Sequence, residues 1–509
     1  MRGSQALRRI PATVSRIAGR FSGHVTEIGA FAGIMVLALA LRLYQIGAEN
    51  FWTDEWISLG DSRHLAEHNR HRPLFYLLLR VWLHFGRGDV WPRLLALLFG
   101  LGGIVVLYVL GRRLVGVAAA LVACVIMAVA VPELDHSQEV RMYTMASTFT
   151  LASLYALVVW VEDRRIFWLV LYAGFAYLAF LTTPTVIFGV LLAGVMAGLL
   201  LWHRRERRSA MATFLAEGLA ILFWLPLSRY ARLAVQIGSL SWIPRPPRSA
   251  LLLMHGQLLS DNFGGVRNAQ PSFWFQIVFS VLVLALVANA LVATDRGYSA
   301  ARSSWVIAVW FYTIAIAMYA TSVLITPVWF LRYFHCTAPA LYLLVGVGLV
   351  SLLRWWRPAG LIAAAAVLAL TAIAAWQYYL LPVREDWRGA ANAIAPRATV
   401  NDVIGVIGLS SLFRHYYHGS GTVREISPQL TALPQKPTEV MTDLLGQIPR
   451  HRGQTWLVVR EDPRFDRVAF LHTLEQHLRD CGTPPQIEIF RNIGNQIDVL
   501  KLEAQPQAQ

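Results

Sequence analysis

The stretch from residue 30 to residue 58, "AFAGIMVLALALRLYQIGAENFWTDEWIS", decides the fold of this chain. Up to residue 47 it is almost continuously apolar, and a bilayer requires about 20 such residues in a spanning helix. Two adjacent carboxylates, Asp54 and Glu55, then follow among aromatic residues. The stretch therefore predicts a membrane-spanning helix that ends at a pair of acidic side chains close to the membrane surface.

The composition extends this prediction to the whole chain. Of its 509 residues, 56% are hydrophobic and 15% are charged, whereas soluble domains carry about 25% charged residues. The net charge of +15 comes almost entirely from arginine. Because the arginines cluster in short loops between apolar runs, they are typical of cytoplasmic loops, and nucleic acid is not a predicted partner. The three cysteines are far apart and indicate no disulfide framework.

The N-terminal segment "MRGSQALRRIPATVSRIAGR" holds five arginines and no acid, which predicts a cytoplasmic tail over residues 1–27. The apolar run after it is longer than an ordinary signal-peptide core, so we expect an uncleaved first span, with a cleaved signal peptide as the alternative. Ten further spans bring the total to about eleven and place the C-terminal end outside. They are predicted near 91–110, 115–132, 142–161, 166–182, 185–202, 211–228, 272–293, 304–325, 330–350 and 358–380.

Two long outer loops, about 47–90 and 229–271, interrupt this series. The apolar segment from Pro73 to Phe85 is too short for a confident crossing and predicts a helix along the membrane interface. After residue 381, "NDVIGVIG", "TWLVVR", "PQIEIFRN" and "NQIDVLKL" are typical of short strands, and "DRVAFLHTLEQHLRD" has helical spacing. The fold class predicted is a polytopic α-helical membrane module over 28–380, with a small extracytoplasmic α/β domain over 381–509.

Several motifs, taken in chain order, resemble polyprenyl-phosphate-dependent glycosyltransferases of the GT-C type, particularly the bacterial protein O-mannosyltransferase and lipid A aminoarabinose transferase superfamily. The motifs are "LRLYQIG", "FWTDEWIS", "HRPLFYLLLRVW", "WPRLLALLFGLGGIVVLYVLGRRL", "HSQEVRMYTM", "FLRYFHCTAPAL" and "EDWRGAANAIA". The resemblance implies an inverting transfer of one sugar from a polyprenyl phosphate donor to an acceptor on the outer face. The acceptor class implied is an envelope glycolipid, a glycan or a protein.

The resemblance points to Asp54 as the base that takes the acceptor's proton, and Glu55 beside it is expected to support that role. The phosphate that leaves the sugar needs positive charge around it, and arginine suits this role because its planar guanidinium group donates paired hydrogen bonds. Arginines in three separate outward segments are predicted to bind it: Arg72, Arg141 and Arg332. Each has the alternative of contacting lipid headgroups. Residues predicted to line the substrate site are Glu139, Tyr143, Tyr230, Trp242, Arg245 and Tyr333.

No cofactor is predicted with certainty. The spacing of histidines and acids matches no compact metal-ligand motif, so no metal residues are assigned, and a divalent cation stays open as an alternative. The sequence has no nucleophilic triad and no phosphate-binding glycine loop. A transporter or lipid flippase is the rival function. A transporter should carry ionisable residues near the bilayer midplane, whereas most charges here lie at the ends of the predicted spans, apart from Arg42 in the first span. A non-enzymatic, glycan-binding envelope scaffold is the third reading.

Overall fold

A computed structural model of the chain describes residues 12–236, 240, 243–261, 272–293, 302–333, 335–381, 384–426, 453–460, 488–491 and 497–502. The helices of the membrane module within these ranges are α1 Ala12–Leu43, α4 Val90–Val115, α5 Val117–Val129, α6 Val131–Ser137, α7 Tyr143–Asp163, α8 Ile166–Phe180, α9 Val186–His203, α10 Arg207–Trp224, α13 Phe273–Val292, α14 Ser304–Leu324, α15 Ala338–Trp355 and α16 Arg357–Leu380. The loops between them carry α2 Thr53–Arg63, α3 Leu74–Trp82, α11 Ser228–Gln236 and α12 Ala250–Ser260.

All eleven predicted spans contain helix. Nine helical segments in the described ranges are long and apolar enough to cross a membrane, and α5 with α6, bent by 58°, makes a tenth. Helix α8, over a further predicted span, has only 15 residues, or about 22 Å of rise against a hydrocarbon core of about 30 Å. The chain is a polytopic helical membrane protein, as predicted.

Helix α15 lies at the centre of the module, and its residues from Ala338 to Ser351 are buried on every side. Two glycines allow this close packing. A Cβ on Gly346 would lie 2.4 Å from the carbonyl oxygen of Ala119 in α5, and one on Gly348 would lie 2.2 Å from that of Leu286 in α13. Small residues at such contacts let helix backbones approach closely within a membrane.

Arg42, the one charge inside the first predicted span, is fully buried at the break between α5 and α6. Its guanidinium donates hydrogen bonds to the carbonyl oxygens of Met127 and Ala128, both at 3.0 Å, and to the hydroxyl of Ser137 at 3.0 Å. Carbonyl groups released by a broken helix require partners inside a bilayer. Arg42 supplies them, so its role is structural and gives no support to a transport pathway.

The first long loop, residues 47–90, carries two short α-helices. Helix α2 carries the acidic pair, and α3 occupies the segment predicted to lie at the interface. One face of α3 buries Phe75, Tyr76 and Leu79, while its remaining leucines are more exposed. In the second long loop, the leucine-rich α12 packs against α13 and is largely buried. That helix is therefore part of the core of the membrane module.

The described part of the C-terminal region contains α17 Trp387–Ile394, α18 Ser410–Tyr416 and five strands. The strands are β1 Val403–Ile407, β2 Thr422–Ile426, β3 Thr455–Arg460, β4 Glu488–Arg491 and β5 Ile497–Leu502, in the sheet order β2-β1-β3-β5-β4. Strands β1, β2 and β3 are parallel, and β5 is antiparallel to both β3 and β4. The four predicted strands are confirmed; the predicted helix over 466–480 lies outside the described residues.

The sequence missed β2, whose residues are mostly exposed because it is an edge strand. Its alternation is weak, since only Ile426 at its end is buried. The central strands are mostly apolar and buried: β1 throughout, and β3 between its terminal Thr455 and Arg460. Parallel strands covered on both faces usually have this composition. Periodicity identifies such central strands more readily than a polar edge strand.

Candidate active site

The carboxylate of Asp54 lies in the first turn of α2, where two of the predicted arginines converge. Arg332 donates from Nη1 to Oδ2 of Asp54 at 3.0 Å. Arg141 places Nη2 at 3.8 Å from the same oxygen and is fixed by Nη1 hydrogen bonds to the backbone oxygen of Asp54 and to Ser58. The Asp54 side chain keeps 25% of its surface exposed, whereas both arginine side chains are more than nine-tenths buried. One partly accessible acid therefore faces two enclosed cations.

These cations set the charge of Asp54. Burial alone would raise its pKa, but Arg141, Arg332 and Arg460 outweigh that effect and hold the pKa below its usual range. The carboxylate is therefore ionised at neutral pH, and sharing the arginines with another anion would raise its pKa. Arg332 also stacks over the ring of Phe330, with Cζ at 4.6 Å from the ring centroid, which limits its freedom to turn away.

Glu55 is fully buried and has a different set of partners. Arg93, in the first turn of α4, binds both of its oxygens in a bidentate pair at 2.8 and 2.7 Å. The backbone N–H of Val140 donates to it at 3.0 Å. The remaining N–H groups of Arg93 hold the backbone oxygens of Ile46, Glu49 and Asn50. These contacts tie α2 to α4 and to the chain after α1, which suits a supporting role more than contact with reacting atoms.

Glu139, a predicted substrate residue, lies in the short segment between α6 and α7 and is 2% exposed. Its carboxyl group is 2.6 Å from Nδ1 of His136. Burial raises the pKa of Glu139 to about 7, against the opposing charges of Arg384, Arg141 and Arg332. A carboxyl group with this pKa exchanges protons near neutral pH, so the site holds one firmly ionised acid and one that is readily protonated.

Arg384 is a further buried cation near the acidic pair, and it was not predicted from the sequence. It follows the last membrane helix and is 7% exposed. Its nitrogens lie 3.7 Å from Glu49, 3.9 Å from Glu55 and 3.6 Å from Asp135. These separations exceed ordinary hydrogen-bond lengths, so the guanidinium acts mainly through its charge. The signal available in sequence was the charged run "REDW" directly after an apolar span.

The other predicted residues divide into two groups. Tyr143 and Tyr333 lie close to the arginines: Arg141 stacks over the Tyr143 ring at 5.8 Å. Burial and Tyr143 raise the pKa of Tyr333, against the charges of Arg332 and Arg72. Arg72 is thus near the same centre, although its hydrogen bonds, at 3.1 and 2.8 Å, go to the side-chain oxygen of Asn69.

The second group makes no contact with Asp54 among the described residues, or lies outside them. Tyr230 accepts a hydrogen bond from Arg229 and lies beside Arg70 of the first outer loop. Arg245 is exposed, and its described contacts include none with the residues around Asp54. Trp242 lies outside the described residues. In the part of the chain that the structure describes, no group of three His, Cys, Asp or Glu side chains is arranged to hold a metal ion.

This arrangement has parallels among known proteins. A family model described as dolichyl-phosphate-mannose-protein mannosyltransferase matches residues 70–229. The structure of ArnT from Cupriavidus metallidurans in the apo state matches with a TM-score of 0.52 at 15% identity, covering 94% of this chain and 99% of that one. The chain has the GT-C glycosyltransferase fold. The predicted resemblance is therefore confirmed.

Two further structures share this GT-C fold. ArnT from Cupriavidus metallidurans bound to undecaprenyl phosphate has a TM-score of 0.51 at 15% identity, again covering 94% of this chain and 99% of that one. The oligosaccharyltransferase AglB from Archaeoglobus fulgidus, in complex with an inhibitory peptide and a dolichol-phosphate, has a TM-score of 0.50 at 12% identity. This match covers 95% of this chain and 75% of the AglB chain. No curated protein matches this chain in sequence.

Proposed function

We propose that this protein is an inverting glycosyltransferase that moves a sugar from a polyprenyl phosphate to an acceptor on the outer face of the membrane. The observation that carries this proposal is the Asp54 carboxylate held between Arg332 and Arg141, in the helix that follows the first membrane span. A base and two phosphate-binding cations are what the reaction requires at one point. The family model and the GT-C fold support the same reaction class.

The donor's phosphate would enter between the two arginines. Each guanidinium would then divide its hydrogen bonds between the phosphate and Asp54, so the carboxylate would lose part of what holds its pKa down. Asp54 would become a stronger base at the moment the donor is in place. As the acceptor oxygen attacks the anomeric carbon, its proton passes to Asp54 and the sugar–phosphate bond breaks. The polyprenyl phosphate that leaves gains charge, which Arg141 and Arg332 stabilise.

The chemistry of the site supports a lipid-linked donor. For the acceptor, it supports only a broad class of molecules. Undecaprenyl phosphate in ArnT and dolichol-phosphate in AglB are bound by proteins of the same fold. We infer that the acceptor is an envelope glycolipid, a glycan or a protein. We further infer that the protein lies in a bacterial inner membrane, with the N-terminal tail in the cytoplasm and the C-terminal domain outside, as the arginine-bearing loops favour.

A donor assay tests this proposal. The full chain in lipid nanodiscs would be incubated with labelled hexosyl and pentosyl polyprenyl phosphates and an envelope extract as the acceptor source. We expect release of free polyprenyl phosphate from at least one donor, together with label in the extract. A flippase would move the donor between leaflets with the sugar–phosphate bond intact. Intact donors throughout the panel would therefore refute the transferase proposal.

Replacing Arg332 by glutamine should lower transfer on the order of 10²-fold, because one donor to the leaving phosphate is lost where charge develops. Binding of polyprenyl phosphate should weaken in parallel, measured by titration of the nanodisc-held protein. Arg332→Lys should recover only part of the rate, since an ammonium cannot donate a planar pair of hydrogen bonds. Arg302→Gln, at an exposed position before α14, is the matched control and should leave the rate unchanged. Equal rates for the Arg332 and Arg302 variants would contradict the assignment.

A further inference from the structure

Glu385 lies between the last membrane helix and the outer domain, yet its side chain is 2% exposed. Its Oε2 accepts hydrogen bonds from the backbone N–H of Thr53 at 3.1 Å, the Thr53 hydroxyl at 2.5 Å and the indole of Trp387 at 2.7 Å. The side chain of Asn50 donates to its backbone oxygen at 2.7 Å. A residue 332 positions along the chain from Thr53 therefore holds the start of α2.

The N-terminus of α2 needs a hydrogen-bond acceptor such as Glu385. The N-terminal N–H groups of a helix lack partners inside the helix and favour a negative charge nearby. Trp52, the N-cap residue of α2, makes no side-chain capping hydrogen bond. The Glu385 carboxylate takes this place on Thr53, the residue immediately before Asp54. The position of the base therefore depends on a group outside its own loop.

The other oxygen of Glu385 connects this point to the outer domain. Arg460, the last residue of β3, donates from Nε to Oε1 of Glu385 at 2.6 Å. The same guanidinium is near enough to Asp54 to act on its charge, together with Arg141 and Arg332. Glu385 and Arg460, which we call the clasp, thus link a strand of the outer domain to the first turn of α2.

The outer domain also contacts the membrane module at a second point. Asp89, before α4, accepts hydrogen bonds from Arg388 at 2.9 Å and from the hydroxyl of Tyr416 at 2.8 Å. This contact holds α17 and α18 against the start of α4, without a hydrogen bond to Thr53 or Asp54 among the described contacts. Other contacts of this domain reach the chain around α2 directly: the backbone N–H of Phe51 donates to the hydroxyl of Tyr416 at 2.9 Å, and the indole of Trp56 donates to Ser411 at 2.9 Å. The Arg388–Asp89 pair touches neither, so its removal tests docking apart from the placement of the base.

We propose that Glu385 and Arg460 are positioning residues, which couple docking of the outer domain to the placement of Asp54 in the reaction centre. This inference rests on the proposed transferase function. A displacement of a catalytic group by about 1 Å can lower a rate on the order of 10²-fold. The clasp acts one residue from the base, so loosening it displaces Asp54 while leaving Arg141 and Arg332 on their own segments. The transferase is then fully active only when the outer domain is seated.

The test measures release of polyprenyl phosphate in nanodiscs, with the labelled donor accepted by the wild-type protein and envelope extract. We expect Glu385→Ala to lower kcat on the order of 10²-fold, with little change in the KM for donor. Glu385→Gln, which retains one acceptor oxygen for Thr53, should recover part of the rate. At a pH well above the acid limb of kcat/KM, the double variant Glu385→Ala/Arg460→Gln should lose no more than Glu385→Ala alone, because both residues hold the start of α2 through one contact.

The pH dependence of kcat/KM is a second measurement, and it should not change if Arg460 has only a structural role. Arg141, Arg332 and Arg460 are the cations that act on Asp54, and Tyr333 is a further titratable neighbour. Removing one cation with Arg460→Gln raises the pKa of Asp54. Asp54 is then protonated at a higher pH than in the wild-type protein, so the acid limb of kcat/KM should shift to higher pH. Arg460→Lys keeps the charge and should leave that limb near its wild-type position.

Arg388→Gln is the matched control, because it removes an interdomain ion pair of ordinary length that does not reach α2. We expect its kcat to stay within about threefold of wild type, as for most partly exposed pairs. A loss equal to that of Glu385→Ala would assign the effect to docking in general and overturn the clasp. An unchanged kcat in Glu385→Ala would also overturn it. If Asp54→Asn retained transfer in the same assay, the proposed function itself would fail, and the clasp with it.

Discussion

Asp54→Asn should lose sugar transfer by about 10²–10⁴-fold, the range that a positioned general base contributes. Asparagine has nearly the same shape and still offers an oxygen to Arg332, so the fold and the first turn of α2 should be retained. It cannot take up the proton of the acceptor hydroxyl. The measurement is release of polyprenyl phosphate from labelled donor, with thermal unfolding of the purified variant as the check on folding.

Donor binding should respond in the opposite direction. In the wild-type protein, Arg332 and Arg141 are engaged by the Asp54 carboxylate. Asp54→Asn removes that competing charge, so polyprenyl phosphate should bind the variant at least as tightly as it binds wild type. Loss of turnover with retained or stronger donor binding separates a base from a residue that merely holds substrate. Weaker binding together with slower turnover would instead place Asp54 in donor recognition.

The pH dependence has a defined sign. Asp54 works as a base in its ionised form, so activity is present above its pKa and is lost as the pH falls through that value. Burial opposes ionisation, but the neighbouring arginines hold the pKa below the ordinary value of 3.8. The acid limb of kcat/KM, which reports the free enzyme, should therefore lie below about pH 4. Asp163→Asn, at the partly exposed end of α7, should change neither the rate nor this limb.

Much of this architecture can be predicted from the sequence because membrane spans depend on local composition. Runs of apolar residues bounded by arginines predict where helices cross, and short apolar runs rich in valine and isoleucine predict central strands. The acidic pair is likewise a local signal. Helical geometry even predicts that Asp54 and Glu55 diverge, since neighbouring residues on a helix point about 100° apart.

The partners of that pair are not local and were missed. Arg93 lies 38 positions from Glu55, and Glu385 lies 332 positions from Thr53. No periodicity connects such residues; only the packing of α4 and the docking of the C-terminal region bring them together. Arg460 is equally unpredictable, because its place near Asp54 depends on the end of β3 facing α2. The predicted arginines were easier to find, since outward arginines in a membrane protein already require a reason.

Arg93→Met should have the largest effect on stability, because it leaves the fully buried Glu55 carboxylate without its bidentate partner. Breaking a buried ion pair from one side destabilises a protein by about 3–5 kcal/mol. Three backbone oxygens, those of Ile46, Glu49 and Asn50, also lose their donors. We expect a markedly lower Tm for the purified variant in detergent, and loss of transfer through disorder around α2.

The double variant Glu55→Gln/Arg93→Met distinguishes a stranded charge from simple loss of packing. With no buried carboxylate left, part of the lost stability should return, although the three backbone oxygens remain without Arg93. Arg113→Met, at the other end of α4, is the matched control: its pair with Glu162, at 3.2 Å, is solvent-exposed and should contribute at most about 1 kcal/mol. A Tm for Arg93→Met no lower than that of Arg113→Met would contradict the structural role of the pair.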